Sequence, residues 1–146
     1  ELYSEESITA DPELSAPTQP MIFEKIKQCV QKNNIERLVI DSLSAIRFST
    51  ENFAQTDKEV NRFVRNLKKL GCTTILISEM TNPNSYTPEQ FAAHGVIFLH
   101  HYLDENTKLM SRAIQVVKMR GTSHDSNMKK LSFTSDGLNV EDIEII

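Results

Sequence analysis

The most restrictive feature of this sequence is a pair of short apolar runs on either side of one amphipathic stripe. Leu38, Val39 and Ile40 form an unbroken run ending in Asp41, and a second run extends from Cys72 to Ser78. Uninterrupted runs of this length suit strands of a parallel sheet covered on both faces. Between them, Val60, Phe63, Val64, Leu67 and Leu70 recur at helical spacing and stop at Gly71, which predicts a helix with a glycine C-terminal stop. Thr56-Asp57-Lys58-Glu59 has capping-box spacing and sets the predicted start of that helix. Residues 37–78 therefore predict a right-handed βαβ unit, and with it an α/β chain.

The neighbouring segments extend this plan. Ile22, Ile26, Cys29 and Val30 predict a helix over residues 20–33 with those side chains inward, ended by Asn33-Asn34. A second crossover through residues 87–93 leads to a strand at Gly95-Val96-Ile97-Phe98-Leu99, giving three parallel strands. Asp104-Glu105-Asn106 reads as a turn, after which Met110 to Met119 returns antiparallel. Another strand covers Lys130 to Thr134, with a turn at Asp136-Gly137. Residues 1–19, with Pro12, Pro17 and Pro20, read as an irregular lead-in, and residues 20–146 as the folded part. A start at Glu1 rather than methionine is what a processed chain or an excerpt would show.

Composition removes several function classes. The chain of 146 residues has a formal charge of −4 and a pI near 5.6, so no general basic field draws it to a phosphate backbone. Lys68-Lys69 and Lys129-Lys130 are short basic pairs of the solvated kind, and a DNA-handling role is not expected. No run approaches the ~20 apolar residues of a membrane span, and no signal peptide is recognisable; the cytoplasm is the expected location. Cys29 and Cys72, far apart within apolar patterns, predict buried free thiols.

Two places can carry chemistry. Asp41 closes a buried strand, and ligands of open α/β sheets collect outside the strands' carboxyl ends. Leu-Val-Ile-Asp-Ser has the form of a Walker B strand, whose carboxylate holds Mg²⁺ beside nucleotide phosphates; a strand-ending Asp that caps the next turn is the plainer alternative. Farther on, strand alternation puts Lys118 and Arg120 on one face, their tips roughly 7 Å apart, close enough to grip one anion. Gly121 permits a change of direction, and Thr122, Ser123 and His124 add hydroxyls and an imidazole. A charged edge strand with a polar loop is the plainer account here. His100-His101 invites a metal reading, but adjacent strand residues face opposite ways. Ser78-Glu79 either senses a bound phosphate or satisfies turn donors.

The segment from Ser111 to His124 resembles the distinctive stretch of the KaiC family, and Arg37 to Ala45 resembles that family's Walker B strand. Phe91 to Ile97 and Thr134 to Gly137 match in order and spacing as well. The resemblance implies the C-terminal part of a RecA-like P-loop NTPase core: a homo-oligomer, usually a hexameric ring, with ATP and Mg²⁺ between subunits. It further implies that Lys118, Met119, Arg120, Thr122 and His124 reach the nucleotide of the adjacent subunit, Lys118 and Arg120 near its terminal phosphate. Thr134 falls on another nucleotide-contacting position, although Ser135 stands where an Asp is often found.

The departures define the functional expectation. No Gly-x-x-x-x-Gly-Lys-[Ser/Thr] occurs in the sequence, and without that phosphate cradle the chain alone is expected to be inactive. Glu5 and Glu6 faintly resemble the family's water-activating pair but lack the apolar strand before them, and read as linker residues. Gln90 and Phe91 replace the phosphate-accepting hydroxyls of the clock members, so self-phosphorylation there is not expected. His94 replaces a frequent acidic residue without an evident reason. The leading expectation is a piece of a KaiC-like ATPase; the rival is a nucleotide-independent assembly module on the same fold.

Overall fold

The computed structural model describes residues 19–47, 53–79, 86–105 and 107–143. Glu5, Glu6 and the predicted lead-in lie outside the described residues. The chain divides into two compact units, one ending at Ser85 and the other beginning at Tyr86.

In the first unit, α1 (Gln19–Asn33) and α3 (Phe53–Lys68) accompany a parallel pair, β1 (Arg37–Asp41) and β2 (Thr73–Ile77), with a short helix α2 (Leu43–Arg47) after β1. The register runs from Arg37 opposite Thr73 to Asp41 opposite Ile77. The stripe on α3 supplies the core: Val60, Phe63, Val64 and Leu67 are buried, joined by Val30, Leu43 and Ile46. Phe23 of α1 meets Phe63 edge to face at 6.3 Å, a favourable aromatic geometry. The chain leaves α3 through Lys69 N–H to Asn66 O and Leu70 N–H to Leu67 O, both 3.0 Å. Gly71, at φ +78°, then makes the predicted stop, a conformation that a Cβ disfavours.

Four features of this unit differ from the sequence reading. The third helix begins at Phe53, so Thr56 is a buried interior residue rather than an N-cap; Ala54 and Gln55 are good helix formers and carry the same helix backward. Cys29 is exposed and Cys72 intermediate. On α1 the inward stripe runs through Phe23, Ile26 and Val30, and Cys29 lies about a quarter turn away from it. The short α2 was not predicted; its Leu43 and Ile46 are buried, but the segment is too short to show a period. Finally, β1 and β2 alternate between exposed and intermediate, with Val39 58% and Ile75 57% exposed, so one face of the pair is open.

In the second unit, α4 (Pro88–Ala92) precedes a four-stranded antiparallel sheet in the order β3 (Gly95–Leu103), β4 (Met110–Met119), β5 (Lys129–Thr134), β6 (Gly137–Asp142). The β3–β4 turn is closed by Thr107 N–H to Asp104 Oδ1 at 2.9 Å and Asp104 N–H to Leu109 O at 2.9 Å. The predicted antiparallel return of Met110 to Met119 is present. The predicted third parallel strand is not among the described pairings: β3 pairs with β4 alone. An apolar strand preceded by a helix fits either partner, and local pattern does not choose between them.

Candidate functional site

Asp41 is the last residue of β1, exposed, on the open face of the parallel pair and opposite Ile77. The Asp41–Ser42 peptide is cis. Ser78 and Glu79 continue from the same end of β2, so the carboxyl rim of the pair gathers Asp41, Ser42, Ser78 and Glu79. A single exposed carboxylate suits Mg²⁺, which binds through one or two carboxylates and keeps much of its water. Among the described residues no group of three or more His, Cys, Asp or Glu side chains is placed to hold a metal by itself.

Lys118 and Arg120 come together as their spacing predicted, but by a route the spacing did not contain. The β3–β4 register shifts between Val96, opposite Lys118, and Ile97, opposite Val116. Val117 is therefore an extra residue, and such a bulge re-aims the side chains beyond it. Residues opposite one another share a face, so Lys118 lies on the side of Val96, away from that of Val116. Its Nζ donates to Gln90 O at 2.5 Å and Phe91 O at 3.2 Å, while Arg120 Nη2 donates to Phe91 O at 2.9 Å. Both cations thus converge on one carbonyl oxygen in the last turn of α4. Those carbonyls lack helical partners and carry the negative end of the peptide dipoles. Arg120 N–H also donates to His94 O at 2.9 Å, fixing the end of the strand.

Beyond Arg120 the chain runs as a loop to β5, with Thr122 and His124 exposed. Met119 pairs with Gly95, where an added Cβ would stand 2.8 Å from Met119 Sδ; glycine lets the methionine lie flat on β3. Thr134 is occupied within its own hairpin, its hydroxyl donating to Gly137 O at 3.1 Å and accepting from Asp136 N–H at 3.3 Å.

The loop is pinned by a group that no local pattern singles out. Lys129 Nζ sits 2.6 Å from Asp125 Oδ2 and also contacts Asp142 Oδ1 of β6. The hydrogen bond from Lys129 lowers the Asp125 carboxyl below its ordinary range; Asp125 first and then Asp142 push the Lys129 ammonium up to about 12. In sequence Lys129 is half of a basic pair, and Asp125 an ordinary loop acid. A cleft of about 330 Å³ adjoins this group, lined by Ile114, Val116, Val140, His124, Asp125 and Lys129. His100 and His101 project from opposite faces: His101 pairs with Arg112, and His100 Nε2 lies 3.2 Å from Gln115 Oε1.

The parallel strand pair with its crossover helix, joined in one chain to an antiparallel sheet, is the architecture of a RecA-type α/β protein. The family described as ATPase: KaiC matches residues 4–144, and the chain belongs to that family. It is 28% identical over 123 residues to the circadian clock oscillator protein KaiC of Nostoc sp., covering 82% of this chain. The protein of that name from Synechococcus elongatus is 27% identical over the same share. The crystal structure of a KaiC-like protein from Pyrococcus horikoshii superposes with a TM-score of 0.71 at 28% identity, over 84% of this chain and 56% of that one. The chain spans 23% of the length of these clock relatives.

Proposed function

We propose that this chain is the C-terminal part, residues 20–146, of a KaiC-like ATPase domain that works as a ring of like subunits, and that it serves nucleotide from two sides. Asp41 would hold Mg²⁺ through water beside the phosphates of its own subunit's ATP, where the ion screens phosphate charge. Lys118 and Arg120 reach the terminal phosphate bound by the adjacent subunit and neutralise charge that grows there during phosphoryl transfer. Met119, Thr122 and His124 line the same approach, and Thr134, at the β5–β6 turn at the other end of the sheet, is a separate nucleotide contact. The observation that carries this reading is the convergence of Lys118 and Arg120 on a single oxygen, Phe91 O. Two cations able to address one carbonyl are placed to address one phosphate oxygen.

The open face of the β1–β2 pair supports the partial character of the chain, since parallel strands occur where both faces are covered. A chain lacking the phosphate-binding loop hydrolyses no ATP alone. The check is turnover by the isolated chain with magnesium, beside Asp41→Ala: no turnover by either is expected, and turnover abolished by the substitution would overturn the proposal of inactivity. One observation favours the rival reading of a nucleotide-independent assembly module, namely that both cations are already engaged by carbonyls of α4. That reading predicts that ATP leaves assembly of the intact protein unchanged.

A further inference from the structure

We propose that His100 and Gln115 are positioning residues that hold the loop after β4, and with it Thr122 and His124, in one arrangement. Among the described residues the β4–β5 ladder pairs Ala113 with Lys130 and Ile114 with Lys129. Past Ile114 the loop meets β4 through a side chain, Gln115 Nε2 donating to Ser126 O at 2.9 Å. A carbonyl only accepts, so the amide nitrogen of Gln115 must face Ser126, and its oxygen must face His100. That oxygen also only accepts, so the hydrogen on the His100 ring resides on Nε2, 3.2 Å away. The two bonds therefore form a directed relay from imidazole to amide to loop backbone. Phe98 lies directly across the ladder from Gln115 and meets the His100 ring edge-on at 5.9 Å, so the three share a face and the ring is held.

Ser126 is one anchor and its neighbour Asp125 is another, through Lys129 and through Asn127 N–H to Asp125 Oδ1 at 2.8 Å. The start of the loop is fixed by Arg120 N–H on His94 O. Gly121, Thr122, Ser123 and His124 alone lie between the fixed ends. A span this short has few conformations left to lose, and a group presented on it is pre-organised. The functional consequence rests on the reading of Thr122 and His124 as nucleotide contacts; the relay itself does not.

The test uses the full 146-residue chain without nucleotide. Two-bond ¹H–¹⁵N correlation reads the His100 tautomer, and amide exchange reads loop order. The expected results are an Nε2–H tautomer and, in Gln115→Leu and His100→Leu, exchange of the residue 122–127 amides roughly fivefold to tenfold faster, the size expected for loss of one side-chain hydrogen bond. His100→Gln, which retains an N–H donor, restores wild-type exchange. An Nδ1–H tautomer, unchanged exchange in Gln115→Leu, or His100→Leu behaving like His100→Gln would overturn the relay. So would acceleration spread equally over β3, β5 and β6, which marks general loss of structure. A relay that passes these tests in a protein whose His124 variants bind nucleotide normally would defeat the nucleotide reading instead.

Discussion

Lys118 and Arg120 each have a structural duty in the folded chain besides the phosphate role proposed for them. Their donors satisfy carbonyls at the end of α4, and a charged donor to a part-buried carbonyl is among the stronger hydrogen bonds. Lys118 serves both Gln90 O and Phe91 O, whereas Arg120 shares only the second. Lys118→Ala is therefore predicted to destabilise the second unit by about 1–2 kcal/mol and Arg120→Ala by less than about 1 kcal/mol, in proportion to the carbonyls left unserved. Urea unfolding measures the first quantity, and exchange of the Ala93 amide, bonded to Glu89 O at 2.8 Å, localises it to α4. If the double variant leaves α4 protection unchanged, these contacts do not stabilise the helix. Asp41 carries no such burden: it is exposed at a strand end, and Asp41→Ala should leave stability within about 0.5 kcal/mol of wild type.

At the scale of elements, the 121–128 loop depends on an exposed ion cluster with a defined pH window. The Asp125 carboxyl lies below its ordinary value of 3.8, so its contribution is present above that value and lost as pH falls through the lowered one. The Lys129 ammonium is raised from 10.5 to about 12, so its contribution is full below 10.5 and lost as pH rises through about 12. Loop order, read from His124 ring signals, is predicted to hold between these limits, to fall at both extremes and to weaken with added salt, since exposed pairs are screened. A loop that sharpens in acid would contradict this.

Sequence legibility divides along the same line. The α3 stripe, the β1 and β2 runs and the Asp104 turn could be read because their signals are local and periodic. The earlier start of α3, the outward position of Cys29, the Val117 bulge and the pairing of β3 could not, because each is decided by what lies across from the residue. Lys118 and Arg120 were found together by spacing, yet the bulge is what turns them toward α4. The contacts of His100 with Gln115 and of Lys129 with Asp142 could not be read, because each exists only once β3 and β4, or β5 and β6, are side by side.

At the scale of the whole molecule, both sheets present apolar side chains to solvent. Val39 and Ile75 lie on the open face of the parallel pair, while Leu99 and Phe133, 70% and 67% exposed, share one face of the antiparallel sheet. Exposed apolar side chains directly across two strands, as Val39 and Ile75 are, favour association. The isolated chain is predicted to self-associate at micromolar concentration, and Val39→Thr combined with Ile75→Thr to shift it toward monomer in sedimentation velocity. A chain already monomeric and stable would show that these faces need no cover. Among the described residues no helix is long and apolar enough to cross a membrane.

If the proposed function holds, Asp41 and the Lys118–Arg120 pair act on one triphosphate from different subunits. The most direct measurement is ATPase activity of mixed rings of the intact protein, made from Asp41→Ala subunits and Arg120→Ala subunits that are each inactive alone. If the residues act in trans, random equal mixing restores about a quarter of the interfaces, each with one unaltered carboxylate and one unaltered cation facing it across the head-to-tail contact. Mixed rings as inactive as their parents would place both residues in the same subunit's site and contradict the account.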